Sequence, residues 1–294
     1  MATIATPIET SPSIVVPPSS RGGVRQWTKN RALLAGVVMV AAIFVIAIIG
    51  PMITPYNPTR NNYGVAVQAP SAAHPFGTDK FGRDQLSRII MGTRIDLSVG
   101  IICTLIPAII GIAVGCISGY YGGKIDALFM RLVDIQVAFP FYVLLIAILA
   151  ILGPGIINMY YALILVGWIA FARLIRGEVM VGKEMEYVLA ARALGCTNAR
   201  IIVRHMLPNI VGPALIFGMS AVVLNILSGA SLGFLGLGVQ APNPEWGVMV
   251  AESREYVLTA WWLPLFPGLA IVVVGVAFSL LGDGLSTVLR RRGT

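Results

Sequence analysis

The sequence predicts an all-α integral membrane protein with six transmembrane helices, and three observations carry that prediction. Of 294 residues, 57% are apolar and 12% charged, where an ordinary soluble domain has about 45–50% and about 25%. The apolar residues gather in uncharged stretches at 33–50, 97–123, 135–172, 206–244 and 257–282, each able to supply the roughly 20 apolar residues a helix needs to cross a bilayer. The basic residues flank these stretches and form no stripe with interleaved aromatics. The net charge of +8 therefore does not point to nucleic acid.

Residues 1–30 read as a disordered cytoplasmic tail, rich in Pro, Ser and Thr over 3–20. They are a poor signal peptide, because the polar lead is too long and no small-x-small cleavage site follows the apolar run. That run, 33–50, is the first span. The next 40 or so residues are too few for an enzyme domain. Their second half, 78–92, predicts a surface helix with Thr78 as N-cap, Asp79 in the first turn and an apolar face of Phe81, Leu86, Ile89 and Ile90.

The second span, 97–119, carries Gly111, Gly115 and Gly119, a doubled small-xxx-small pattern suited to close helix packing. Pro107 and Pro140 interrupt helical runs, and each frees a carbonyl that needs another partner in a membrane. The stretch 135–172 is too long for one crossing of a core roughly 30 Å thick. It predicts two spans, 132–152 and 156–174, joined at Gly153-Pro154-Gly155. The fifth span, 209–231, is followed by a glycine-rich segment that does not cross, and the sixth covers 262–284. Near the span ends, Asp134 is expected to pair with Arg131, and Asp283, between Gly282 and Gly284, to help end its helix.

Positive residues concentrate in the segments placed inside: Arg21, Arg25, Lys29 and Arg31, then Lys124 and Arg131, then those from Arg173 to Arg204, then Arg290 to Arg292. Arg60, Lys80, Arg83, Arg88, Arg94 and Arg254 lie outside. This distribution puts both termini in the cytoplasm.

Several chemistries find no residues to carry them. Tyr120-Tyr121-Gly122-Gly123-Lys124 has Ser118 where a phosphate loop needs its first glycine, and Ile125 where it needs a hydroxyl. His74 and His205 fall on opposite sides of the membrane, and Cys103, Cys116 and Cys196 include no close pair. The chain is therefore read as non-catalytic, with no metal site or cofactor of its own. A structural subunit of an enzyme complex would need cofactor ligands at suitable spacing within spans. An independent secondary carrier would need coupling-ion groups at mid-span. Neither set is evident, and the carrier stands as an alternative.

The charged loop 173–208 is the most informative segment. Glu184, Glu186, Tyr187, Leu189, Ala190, Ala191, Ala193 and Leu194 make a helix-forming run that Gly195 is placed to end. A second run, 198–206, leads to Pro208. The small residues Ala190, Ala191 and Ala193 suit a helix that enters a groove in a partner.

Residues 190–195 and 205–208 resemble the EAA loop of ATP-binding-cassette importer permeases, with Leu189 in place of its Glu and His205 in place of its Ile. The resemblance continues through HPFGTDKFGRDQLSRIIMGTR (74–94), GYYGG (119–123), RLVDIQVAFP (131–140), GEVM (177–180), EYVLAARALG (186–195), RHMLPN (204–209), ASLGFLGLGVQAPNPEWG (230–247), LFPGLAI and LLGDGL. Together these segments resemble the C-type subunit of the dipeptide/oligopeptide/nickel permease family over roughly 30–290.

That resemblance implies a type I ABC importer permease fold in a bacterial cell membrane. The chain divides into the tail (1–30), the first span and external loop with its surface helix (31–93), and a five-helix permease core (94–294) with the coupling loop at 175–208. The implied function is half of a translocation pathway for di- or oligopeptides, with nickel or another metal chelate as the alternative cargo. The implied partners are a homologous B-type permease, two ATP-binding subunits or one fused double ATPase, an extracytoplasmic substrate-binding protein and membrane lipids. ATP and Mg would sit on the ATPases. The resemblance makes Glu186, Tyr187, Ala190, Ala191, Arg192, Ala193, Leu194, Gly195, Leu207 and Pro208 the ATPase-coupling residues. It names no substrate residues.

Overall fold

The structure, a computed structural model, describes residues 30–290. The tail expected over 1–30 falls outside them except for Asn30. In chain order the helices are α1 (Arg31–Ile53), α2 (Gln85–Tyr121), α3 (Gly123–Val137), α4 (Phe141–Leu152), α5 (Ile156–Gly182), α6 (Glu186–Ala193), α7 (Asn198–Arg200), α8 (Leu207–Phe234), α9 (Trp246–Ser253) and α10 (Trp262–Arg290). A π-helical stretch, Ile201–Met206, joins α7 to α8. Among the described residues the regular structure is otherwise helical, apart from one isolated bridge between Thr78 and Asp84. α1, α2, α5, the run Asn198–Phe234 and α10 are each long and apolar enough to cross a membrane, and the bent pair α3–α4 makes a sixth candidate when the two helices are taken together as one span.

α1 starts where Asn30 Oδ1 accepts from the Ala32 and Leu33 amides at 3.1 and 3.3 Å, meeting donors a helix start leaves unsatisfied. It buries Leu33, Gly36, Ile43, Ala47 and Gly50 along one stripe. Leu34, Val38, Val45, Ile48 and Met52 point away from the protein, which in a bilayer leaves them in lipid as apolar as themselves. The buried stripe meets α10 at van der Waals limits. A Cβ on Gly36 would lie 2.5 Å from the Leu281 amide nitrogen, and one on Gly284 would lie 2.5 Å from Leu33 Cα.

The glycine pattern of the second span forms a second close seam. A Cβ on Gly111 would sit 2.6 Å from the Trp168 carbonyl, and one on Gly115 would sit 2.7 Å from the Ala172 carbonyl. α2 and α5 therefore touch backbone to backbone, as the small-xxx-small spacing predicts.

Four expectations are corrected. The helix expected over 78–92 with Thr78 as its cap is not a separate surface helix. Residues 78–84 form a tight turn in which the Arg83 amide donates to Asp79 Oδ1 at 2.9 Å, so Asp79 stabilises the turn instead of a helix start. Asp84 is the true N-cap, accepting from the Ser87 amide at 2.8 Å, and the helix then runs without a break into the second span. The third span, expected as one helix over 132–152, is two helices bent by 85°. Pro140, lacking an amide, cannot continue α3 and caps α4 instead. Asp134 pairs at 3.3 Å with Arg173, on α5, because the fold brings α5 alongside. Asp283 does not end a helix. α10 continues to Arg290 with the Asp283 carbonyl accepting from the Ser286 and Thr287 hydroxyls at 2.9 Å.

Candidate functional site: a helix held out at one end of the bundle

At one end of the bundle, α6 spans eight residues between α5 and α7. Its last turn closes with a Schellman motif. The Gly195 amide donates to the Arg192 carbonyl at 3.0 Å and the Cys196 amide to the Ala191 carbonyl at 3.1 Å, with Gly195 at φ +77°. Glycine takes that left-handed conformation without the penalty a Cβ brings. Gly195 is thus the C-terminal stop read from the sequence.

The helix has two faces. Val188 and Ala191 are buried and join Ile175, Val179, Ile201, Met206 and Ile210 in an apolar cluster. Glu186, Tyr187, Leu189, Ala190, Arg192, Ala193, Leu194 and Gly195 are exposed, with Leu194 84% and Leu189 45% accessible. Ala191 is therefore not part of an outward docking surface. It secures the helix from beneath, since residues 188 and 191 lie one turn apart on one face. Of the two remaining candidates, Pro208 is exposed in the first turn of α8, while Leu207 is half-buried against the same cluster.

Polar contacts fix the orientation of this element. Asn209 Nδ2 donates to the Tyr187 hydroxyl at 3.2 Å, tying the start of α6 to α8. The Tyr120 hydroxyl donates to Asn198 Oδ1 at 2.9 Å, and the Arg192 guanidinium lies 5.9 Å from the centre of the Tyr120 ring. Tyr120 and Asn198 carry no local signal in the sequence, because the contact joins residues 78 positions apart. Arg176 grips Asp126 through two bonds of 2.6 Å, fastening α3 to α5.

The opposite end is held by two buried arginines and the carboxylates that meet them. Arg83 Nε meets Asp79 Oδ2 at 2.6 Å, and Glu252 Oε2 receives both Arg83 at 2.8 Å and Arg88 at 2.9 Å. Nearby, Glu245 caps α9 through the Gly247 and Val248 amides at 2.7 and 2.8 Å. Asp96, on α2, accepts from the Trp246 amide at 3.2 Å. Asp96 and Glu245 are buried acids that hydropathy does not reveal, since each lies at the edge of an uncharged stretch.

Mid-bundle, a cavity of about 330 Å³ is lined by residues including Cys103, Tyr142, Phe171, Phe217, Asn225 and Ser228. Asn225 Nδ2 donates to the Cys103 carbonyl at 2.8 Å and to Thr104 Oγ1 at 2.9 Å.

A bundle of five or six candidate membrane spans, anchored by buried charges at one end and holding a short helix out at the other, defines a multi-pass membrane protein. The family described as the binding-protein-dependent transport system inner membrane component matches residues 111–293. The N-terminal TM domain of oligopeptide transport permease C matches residues 21–70. The chain belongs to the first of these families and is an ABC importer permease.

Among curated relatives, it is 42% identical to the dipeptide transport system permease protein of Alkalihalophilus pseudofirmus, over 92% of this chain and 88% of that one. It is 40% identical to the glutathione transport system permease protein of Pectobacterium atrosepticum, over 90% and 88%. It is 38% identical to the di/tripeptide transport system permease protein of Pseudomonas aeruginosa, over 95% and 94%. A solved structure of the MetNI methionine ABC transporter in inward-facing conformations matches with a TM-score of 0.53 at 18% identity, over 69% of this chain and 95% of that chain. That likeness is one of fold.

Proposed function

We propose that this permease moves short peptides inward across a bacterial cell membrane and that α6 is the helix through which ATP hydrolysis reaches it. The observation that carries the coupling role is the two-faced build of α6. Val188 and Ala191 lock it to the subunit, while Leu189, Ala190, Ala193 and Leu194 face outward as an apolar patch of small and branched residues beside Glu186 and Arg192. A helix with such a patch fits a hydrophobic groove in a partner.

In this reading the partner is a cytoplasmic ATPase, one of a pair or of a fused double ATPase that holds ATP and Mg. The permease itself holds no cofactor, catalyses no reaction and binds no nucleic acid. Both termini are cytoplasmic, a homologous B-type permease completes the pathway, and an extracytoplasmic binding protein delivers the peptide. Closing the ATPase pair draws the two coupling helices together and opens the pathway outward. This requires the ATP-bound and empty ATPases to hold α6 differently. Peptides are favoured as cargo because relatives at 38–42% identity carry names of dipeptide and di/tripeptide systems over nearly their whole length.

The test is uptake of a labelled dipeptide and tripeptide by proteoliposomes holding the complete complex, with and without ATP and the binding protein. Uptake that needs both is the expected result. Active ATP hydrolysis with no uptake of any peptide would overturn the substrate class and make metal chelates the next cargo to assay.

A further inference from the structure

Three consecutive residues at the end of α2 each hold a different element. Ser118 Oγ donates to Asp126, in the first turn of α3. The Gly119 carbonyl accepts from Lys183 Nζ, just past the end of α5, at 3.2 Å. Tyr120 donates to Asn198 and lies under Arg192, so it reaches both α7 and α6. Asp126 in turn grips Arg176 of α5. Gly119 packs so closely on α5 that a Cβ there would lie 2.9 Å from the Arg176 carbonyl. α2, α3 and α5 are thus one fastened unit at this end. Among the described residues, Tyr120 is the side chain through which that unit reaches the end of α6 and the segment after it by polar contacts, since the Tyr187 tie leads to α8 instead.

The geometry points to Tyr120 as a positioning residue for transport: it carries the displacement of α6 into α2 and the helices fastened to it, so that movement of the coupling helix becomes movement of the bundle. This rests on the coupling role proposed above for α6. The apolar underside, Val188 and Ala191, keeps α6 attached without Tyr120. Loss of the tyrosine hydroxyl therefore leaves the helix in place but lets it slide against α2. Tyr120 is 9% exposed while Asn198 faces solvent, so the bond between them is shielded on one side, and one hydrogen bond changes an equilibrium by about fivefold.

The experiment compares Tyr120→Phe, Asn198→Ala, Leu194→Asp and Tyr121→Phe in the complete reconstituted complex, reading substrate moved per ATP hydrolysed. A variant that only impairs folding lowers the amount of complex and both rates together, leaving this ratio alone. Tyr121, its ring stacked edge-on against Tyr120 and half exposed, is the control. The expected result is a fall of about fivefold in the ratio for Tyr120→Phe and for Asn198→Ala, no larger fall when the two are combined, and none for Tyr121→Phe. An unchanged ratio in Tyr120→Phe and Asn198→Ala, with a fall in Leu194→Asp, would overturn the role of Tyr120 and leave the coupling role of α6 standing. An unchanged ratio in all four would overturn both.

Discussion

The side-chain amide of Asn225 on α8 donates to the main-chain carbonyl of Cys103 on α2 at 2.8 Å. That carbonyl is the one left without its helical partner by Pro107, four residues on, whose ring nitrogen carries no hydrogen. A proline in one span and an asparagine in another thus form a single device, in which the polar side chain satisfies the carbonyl that the proline frees.

Replacing Asn225 with Leu is expected to destabilise the folded subunit by about 1 kcal/mol, the order of one interhelical hydrogen bond in a membrane protein. In a Pro107→Ala background the cost should shrink, because alanine restores the amide that the Cys103 carbonyl otherwise lacks. Equilibrium unfolding in detergent micelles of the two single variants and the double variant checks this. Additive losses would show that the two residues act independently.

Glu252 receives two arginines, both nearly excluded from water. Glu252→Gln leaves Arg83 with Asp79 and strips Arg88 of its closer carboxylate, for which a loss of about 3 kcal/mol and a fall of roughly 10 °C in unfolding temperature are expected. Glu255→Gln, at an exposed neighbour, should change the unfolding temperature little. Thermal unfolding of the purified subunit separates the two.

Ala191 and Ala193 stand two positions apart on α6 and face opposite ways. Ala191→Arg drives a charge into the cluster of Ile201, Met206 and Ile210 and should cost the subunit more than about 3 kcal/mol even with no ATPase present. Ala193→Arg should leave the isolated subunit as stable as the parent and weaken its attachment to the ATPases. Thermal unfolding of the subunit alone, followed by co-purification of the complex, reads the two effects in turn.

Gly111 lies in the α2–α5 seam, whereas Gly177 lies on an exposed face of α5. A methyl group on Gly111 collides with backbone at 2.6 Å, whereas nothing lies within 4 Å of one on Gly177. Gly111→Ala should destabilise by more than about 2 kcal/mol, and Gly177→Ala should stabilise by about 0.5–1 kcal/mol as an ordinary gain in helix propensity. Comparison of unfolding midpoints decides both.

The spans were legible because a bilayer tolerates only long apolar helices, so 33–50 and 262–284 announce themselves by composition. The Gly111, Gly115 and Gly119 seam and the stop at Gly195 were equally open to reading, since each depends on local spacing. The 85° bend at Pro140 was not, because proline marks a break without fixing its angle. The inward turn of Ala191 was within reach, since Val188 and Ala191 are spaced as one helical face, but small size alone suggested an outward groove contact. The Asp134–Arg173 and Tyr120–Asn198 pairs had no local trace at all, for their partners are brought together only when the helices pack.

The paired arginines at the end opposite α6 set a condition on the order in which the protein can be completed. Arg88 precedes its carboxylate partner Glu252 by 164 residues and Arg83 precedes it by 169, so during synthesis both emerge long before the group that neutralises them. A chain interrupted anywhere before α9 holds both arginines but, of their two carboxylate partners, only Asp79. An unpaired buried guanidinium is costly, so closure of this end of the bundle waits on the arrival of α9.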